Sequence, residues 1–237
     1  MSYDTGDNSE VRAVVGRYAR RKSTTVYSIL RPEVILSSQE WQRETLLLFD
    51  SECGFSAETL GRVKVVDVGC GYGGHLLDFL RFGIAPQNLF GIELLPDRVA
   101  HARTRVPPTV VIHEGDASSA NVALASQDVV FQSVVFSSLL SDDFQQNLAD
   151  RMWSWLRPGG GILWYDFVYN NPKNPDVRGV PLKRVRHLFP DGGITARRVT
   201  LAPPISRRVC RVHPAAYNLF NTVPWLRSHL LCWIRKS

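Results

Sequence analysis

The chain has 237 residues, 44% of them hydrophobic, and a formal net charge of +6. That length buries one substantial core and excludes two large independent domains, and no stretch approaches the roughly 20 apolar residues that cross a bilayer. Four widely spaced cysteines, Cys53, Cys70, Cys210 and Cys232, show neither CxxC pairing nor zinc spacing.

The opening MSYDTGDNSE is polar and acidic, so it is not expected to act as a secretory signal. With unpaired thiols, this points to a reducing, cytoplasmic setting. Residues 1–8 read as a loose tail. Residues 9–31 are apolar and basic, with a break around Ser23–Thr25. Between Glu33 and Asp50, the apolar residues Val34, Leu36, Trp41, Leu46, Leu47, Leu48 and Phe49 predict a helix with a buried stripe. Residues 1–58 are therefore expected to form a helical lid beside a core of residues 59–237. Tyr18 and Tyr27 either cover a ligand or pack within the lid.

The run VVDVGCGYGGHL, residues 65–76, joins a short apolar strand to a helix through Gly69, Gly71, Gly73 and Gly74. Glycines in such a loop allow a tight turn and let backbone approach a ligand where a Cβ would clash. The loop admits three readings: a plain turn, a site for NAD(P), or a site for S-adenosylmethionine. Gly69, Gly71 and Gly74 literally satisfy GxGxxG. However, Asp67 beside the loop would repel a pyrophosphate and suit a cationic ligand. The next strand, near 88–93, ends in Glu93, about 20 residues past the loop, where a carboxylate can hold a ribose. A helix near 96–105 and a strand near 109–113 follow. Asp116, in HEGDA (113–117), is placed to accept from the amine of adenine.

Strands near 63–68, 88–93, 109–113, 128–133 and 160–166 alternate with helices near 73–83, 96–105 and 142–156. This alternation predicts a parallel sheet with helices on both faces and ligands at the carboxyl ends of the strands. Asp67, Glu93, His113, Gln132, Ser133 and Asp166 then share one rim. Arg157–Gly160 reads as a sharp helix-to-strand turn, residues 170–181 as loop, Leu182–Phe189 as a short helix, and Ile194–Leu201 as a strand.

The motifs DVGCGYGG (67–74), GIELLPDRV (91–99), HEGDA (113–117) and LRPGGGILWYDF (156–167) resemble those of the class I S-adenosylmethionine-dependent methyltransferases. The resemblance is good over about residues 60–170. It implies a Rossmann-like, doubly wound α/β fold: a mostly parallel seven-stranded sheet whose last strand is antiparallel. It also implies that Asp67, Gly69, Cys70, Gly71 and Gly73 line the methionine moiety, Glu93 and Leu94 the ribose, and Asp116 and Ala117 the adenine, with Gln132 nearby. FQSVVFSSLL (131–140) with ILWYDFVYNNPKNPDVRGV (162–180) also looks like methyltransferases associated with bacterial polysaccharide and glycoconjugate assembly. That resemblance implies a sugar or glycan hydroxyl as acceptor. The other readings are a natural-product O- or N-methyltransferase with Trp153, Trp155, Trp164 and Tyr217 as aromatic walls, and a non-catalytic cofactor-binding accessory protein.

An alcohol acceptor needs a general base. Asp166, at the end of a buried strand, is the leading candidate, and His187 in the basic helix is a second. Gln132-Ser133 carries neither the acidic metal ligands of catechol-type enzymes nor the Asn/Asp-Pro-Pro-aromatic motif of amino-methylating ones, so no metal is expected. Between Lys173 and Arg211 stand ten Lys or Arg against Asp176 and Asp191. This stretch, inside an insertion near 170–222, reads as a solvated surface or as an entrance for an acidic acceptor. No RNA-binding module is present, and nucleic acid is not expected as a partner. The tail PWLRSHLLCWIRKS reads as the final strand, with a weak peripheral membrane anchor as its other reading.

Overall fold

A computed structural model describes residues 7–20, 25–172 and 174–237. Residues 1–6 of the expected tail, and residues 23 and 24 of the expected break, lie outside the described residues, as does Lys173. Helix α1 (Asp7–Ala19) already includes the end of that tail. Helix α2 (Pro32–Leu48) starts at a proline, whose fixed φ suits a first helical turn. It runs into a single π-helical turn, Phe49–Cys53. After the short α3 (Ala57–Leu60) the alternation begins. Its elements are β1 (Val65–Val68), α4 (Gly74–Phe82), β2 (Leu89–Glu93), α5 (Pro96–Arg105), β3 (Val111–Glu114) and β4 (Gln127–Ser133). They continue as α6 (Asp142–Trp155), β5 (Leu156–Phe167), α7 (Leu182–Leu188) and β6 (Gly193–Leu201). Helices α8 (Pro203–Val212) and α9 (Ala216–Asn221) precede β7 (Arg227–Arg235).

The seven strands form one sheet in the order β3-β2-β1-β4-β5-β7-β6. Strands β1 to β5 pair in parallel, while β7 is antiparallel to both neighbours, β5 and β6. This is the Rossmann-like fold with an antiparallel last strand. The tail is therefore strand β7, with Leu230 to Ile234 buried.

Period-two alternation divides the core between the two faces. Val66, Val68, Val130, Ile162 and Trp164 pack with α6 and α7 on one face. Val65, Val129, Phe131, Leu163 and Trp233 pack with α2, α4 and α5 on the other. The turn expected at Arg157–Gly160 is instead a bulge inside β5. Leu156 pairs with Gln127, but Gly161 pairs with Val129. The extra residues fit because Gly159 takes φ 80° and because a Cβ on Gly161 would lie 2.5 Å from the Trp233 ring.

Glu40 fixes α2 to the sheet. Its carboxylate is 5% exposed, and it accepts from the Thr200 amide at 3.1 Å and the Tyr217 hydroxyl at 2.9 Å. The Thr200 hydroxyl in turn meets the Tyr165 hydroxyl at 2.8 Å. One carboxylate thus joins α2, β6 and α9. Glu40→Ala strands two buried donors and should cost about 3 kcal/mol in urea unfolding, whereas Glu40→Gln should cost less. A loss below about 1 kcal/mol for the alanine variant would mean that the two donors find other partners.

Candidate functional site

Where the strand order reverses, between β1 and β4, the loop Gly69–Gly73 leaves β1. The Gly69 and Cys70 amides both donate to the Ile92 carbonyl, at 2.8 and 3.0 Å, folding the loop over the end of β2. Gly69 has φ 70°, and a Cβ there would lie 2.6 Å from the Val135 side chain. At Gly71 and Gly74 an added Cβ would meet no protein atom within 4 Å, so the space beside them is open. Gly73 serves packing instead: its Cβ would press on Ala102 and Val106 at 3.4 Å, so its absence lets α4 approach α5. Gly73 is therefore not among the residues lining the space.

That space is a cavity of about 830 Å³, walled by the glycine loop, the ends of β2 to β4, and the undersides of α1 and α2. Tyr18 and Tyr27 both line it. Asp67 lies behind the loop, 1% exposed, and its Oδ2 has no hydrogen-bond partner. Burial, and secondarily the Glu93 carboxylate, push its carboxyl well above the ordinary carboxylate range. Glu93 lines the cavity and accepts from the Gly71 amide at 2.8 Å and the Leu95 amide at 2.9 Å. Asp116, Ala117 and Leu94 line it beside Leu139, Phe144 and Leu148, which make an apolar floor. Asp116 accepts from the Ser118 amide and hydroxyl.

These residues fit S-adenosylmethionine. The unpartnered Asp67 oxygen behind the loop calls for a hydrogen-bond donor such as an ammonium group, the open loop can take a chain of atoms against its backbone, and the apolar floor beside Asp116 suits a planar base.

The other half of the cavity holds polar groups that sequence reasoning missed or set aside. Gln42 of α2 donates to Asp78 Oδ1 at 2.8 Å, and His75 Nδ1 lies 3.5 Å from Asp78 Oδ2. The His75 ring sits 4.3 Å from the Trp41 ring and 5.0 Å from Phe131. Ser38 and Arg81 also line this end. The signal was present: an i, i+3 His-Asp pair opens the helix after the loop. The partner Gln42 comes from a helix more than thirty positions earlier.

Helix α1 is tied down over the loop after β4. Arg17 pairs with Glu10 at 2.6 Å and donates to the Ser138 carbonyl at 3.0 Å, while Glu10 accepts from the Leu140 amide at 2.8 Å. Arg98 of α5 lies over the rings of Tyr18, at 4.4 Å, and Tyr72, at 5.3 Å. Beneath them Val134, a β-branched residue, is held at φ 51° in the cavity wall. Strain of this kind costs about 1–3 kcal/mol and concentrates at functional sites.

Five expected site residues do not line the cavity: Asp67 behind the loop, Gly73 between α4 and α5, and Asp166, Gln132 and His187. Asp166 is fully buried outside the lining, its oxygens accepting from the Ser137 amide at 3.1 Å and the Phe167 amide at 2.9 Å. It clamps the turn after β4. Gln132 is equally buried, bonded to the Tyr165 carbonyl and the Val135 amide. His187 is exposed on α7 and does not line the cavity. None of the described residues in 170–222 lines the cavity either. Trp155, Trp164 and Tyr217 are core side chains, at most 1% exposed, and build no aromatic wall.

Residues 65–160 match a family model described as a methyltransferase domain. Among curated protein sequences, none matches the chain. Solved structures share the fold. Magnesium protoporphyrin IX methyltransferase from Synechocystis PCC 6803, with bound SAM, is 12% identical, with a TM-score of 0.60 and 100% of each chain covered. A SAM-dependent methyltransferase from Archaeoglobus fulgidus is 14% identical, with a TM-score of 0.55, covering 80% of this chain and 99% of its own. The 4+2 cyclase SpnF is 19% identical, with a TM-score of 0.58, covering 84% of this chain and 82% of its own.

Burial raises the Asp166 carboxyl from 3.8 to about 7, against hydrogen bonds from Ser137, Phe167 and Gln132. Between those pH values the folded state keeps a proton that the unfolded chain has lost, so stability falls as pH rises through this window. Urea unfolding should show the wild type losing stability relative to Asp166→Asn from about pH 4 to about pH 7. Parallel curves would overturn this assignment.

Proposed function

We propose that this methyltransferase domain transfers a methyl group from S-adenosylmethionine to a hydroxyl of a small sugar or glycan acceptor held between α2 and α4. The observation that carries the reading is one cavity with two unlike halves. On one side are the glycine loop, Glu93 and Asp116; on the other are Ser38, Gln42, His75, Asp78 and Arg81.

The cofactor, when bound, supplies a methyl group on a positively charged sulfur that is already a good leaving group. The protein's own residues must then bind, align and exclude water. Asp67, Gly69, Cys70 and Gly71 take the methionine end, where the buried, unpartnered Asp67 oxygen accepts a hydrogen bond from the ammonium group. Glu93 holds the ribose hydroxyls with the remaining lone pairs of both oxygens. Asp116, with Leu94 and Ala117, takes the adenine. Tyr18 and the underside of α1 close the roof.

On the acceptor side, His75 is the base. Asp78 faces Nδ1, which leaves Nε2 to take the hydroxyl proton, and the Trp41 and Phe131 rings fix the ring plane. Gln42 holds Asp78 in place. Five polar side chains suit an acceptor with several hydroxyls, and Arg81, which makes no ion pair among the described residues, favours one carrying a negative charge. The neighbours do not narrow the acceptor: one is named for magnesium protoporphyrin IX, one is named as a cyclase, and the third name gives no acceptor.

Calorimetric titration with S-adenosylhomocysteine should show micromolar binding, and NAD should show none. Glu93→Gln keeps the shape and should weaken that binding about tenfold, as the loss of a charged hydrogen bond would; unchanged affinity would remove Glu93 from the ribose. On an acceptor found by screening acidic sugars against phenols, His75→Ala should lower kcat by about 10²-fold or more while S-adenosylhomocysteine still binds. Normal turnover would take the base role from His75. Turnover confined to phenols would replace the sugar reading.

A further inference from the structure

The acidic residues stop at Asp191. The 46 residues after it carry eight Lys or Arg and no Asp or Glu, which leaves 20 basic residues against 22 acidic ones in the rest of the chain. Part of this stretch is interior, because β6 and β7 close the sheet. The remainder, α8, α9 and the turn Pro224–Leu226, forms an outer face beside α2 and β6.

This face is firmly mounted. Ile205, Val209, Cys210, Tyr217 and Leu226 pack inward on Leu201 and Leu36, and Tyr217 carries the hydrogen bond to Glu40. What points outward is therefore not a loose segment but the opposite side of an anchored one. On α8 the outward stripe is Arg207, Arg208 and Arg211 at helical spacing, and none of the three makes an ion pair among the described residues. Next to it stand apolar side chains with nothing over them: Val212 at 86% exposed, Leu219 at 69% and Trp225 at 85%, with Phe220 and Val223 between. Scattered exposed apolar residues need no explanation, but five within fourteen positions beside three free guanidinium groups do.

We propose that this face docks on the surface of an anionic phospholipid membrane. The chemistry matches on both counts. Arginines pair with lipid phosphates through charge-assisted hydrogen bonds. Aliphatic side chains and a tryptophan settle at the headgroup boundary, where an apolar body and an indole N–H are both satisfied. A phosphodiester backbone would use the arginines but leaves Val212, Leu219 and Val223 without a partner. No helix of the described residues is long and apolar enough to cross a membrane, so the attachment is to a surface. It differs from a tail anchor, because β7 is an interior strand. The cofactor cavity contains no residue of this face.

The test is sedimentation of the full chain with vesicles of equimolar phosphatidylcholine and phosphatidylglycerol, with pure phosphatidylcholine in parallel and tryptophan emission recorded. Binding to the anionic vesicles alone, with a blue shift, supports the proposal. Trp225→Leu should keep the binding and lose most of the shift. The triple variant Arg207→Glu, Arg208→Glu, Arg211→Glu should bind at least about tenfold more weakly. Leu219→Ser with Trp225→Ser should also weaken binding while leaving the charge intact. Each variant is checked for an unchanged thermal midpoint, since every site is exposed except Arg207, which is half-buried. Equal binding to both vesicle types, no binding to either, undiminished binding by the triple variant, or a preference for duplex RNA over anionic vesicles would each overturn it.

Discussion

Everything at the site follows from the reversal of strand order at β1. With β2 on one side and β4 on the other, the chain leaves the carboxyl ends of these strands in opposite directions, and no crossover covers the gap between them. The sheet therefore opens where four strand ends converge. The glycine loop, Glu93, Asp116 and the strained Val134 all sit there because their strands end there. The opening needs a roof, and the fold supplies α1 and α2 from outside the alternating pattern. Each is tied down by an acid, the half-buried Glu10 for α1 and the buried Glu40 for α2.

Four buried carboxylates of the same apparent kind, Glu40, Asp67, Glu93 and Asp166, end up in different work. What separates them is how many lone pairs the chain itself uses. Asp166 receives two backbone amides within a sealed pocket, and its burial favours the protonated form, so it holds a turn. Glu40 receives an amide and a phenol from two other elements, so it joins them. Glu93 receives two amides but faces open space, so it keeps capacity for a ligand. Asp67 leaves one oxygen unanswered, a cost that a buried group bears only where something else meets it.

This explains which parts were legible in the sequence. The strand-loop-helix at Val65–Phe82 and the carboxylates after β2 and β3 are local features, and periodicity with spacing reveals them. Asp166 was legible as a strand-end acid, but not its orientation, because Ser137 answers it from a turn nearly thirty residues earlier. His75 was visible, while Trp41 and Gln42, which hold it and its partner, come from the cap. The bulge in β5 was hidden because Pro158-Gly159-Gly160 spells a turn to any local reading, and only pairing with β4 shows the strand continuing through it. The basic stretch stayed open between a solvated surface and an entrance, since nothing local says which end of the sheet its elements flank.

The order of the strands also gives the molecule a direction. The nucleoside end of the cavity is built by β1, β2 and β3, and β3 is one edge of the sheet; β6, with α8 and α9 against it, is the other. A protein resting on its β6 edge turns its β3 edge toward the bulk solution. Fresh and spent cofactor can then exchange through water while the protein stays in place, so retention at a surface and repeated turnover do not compete for the same side of the molecule.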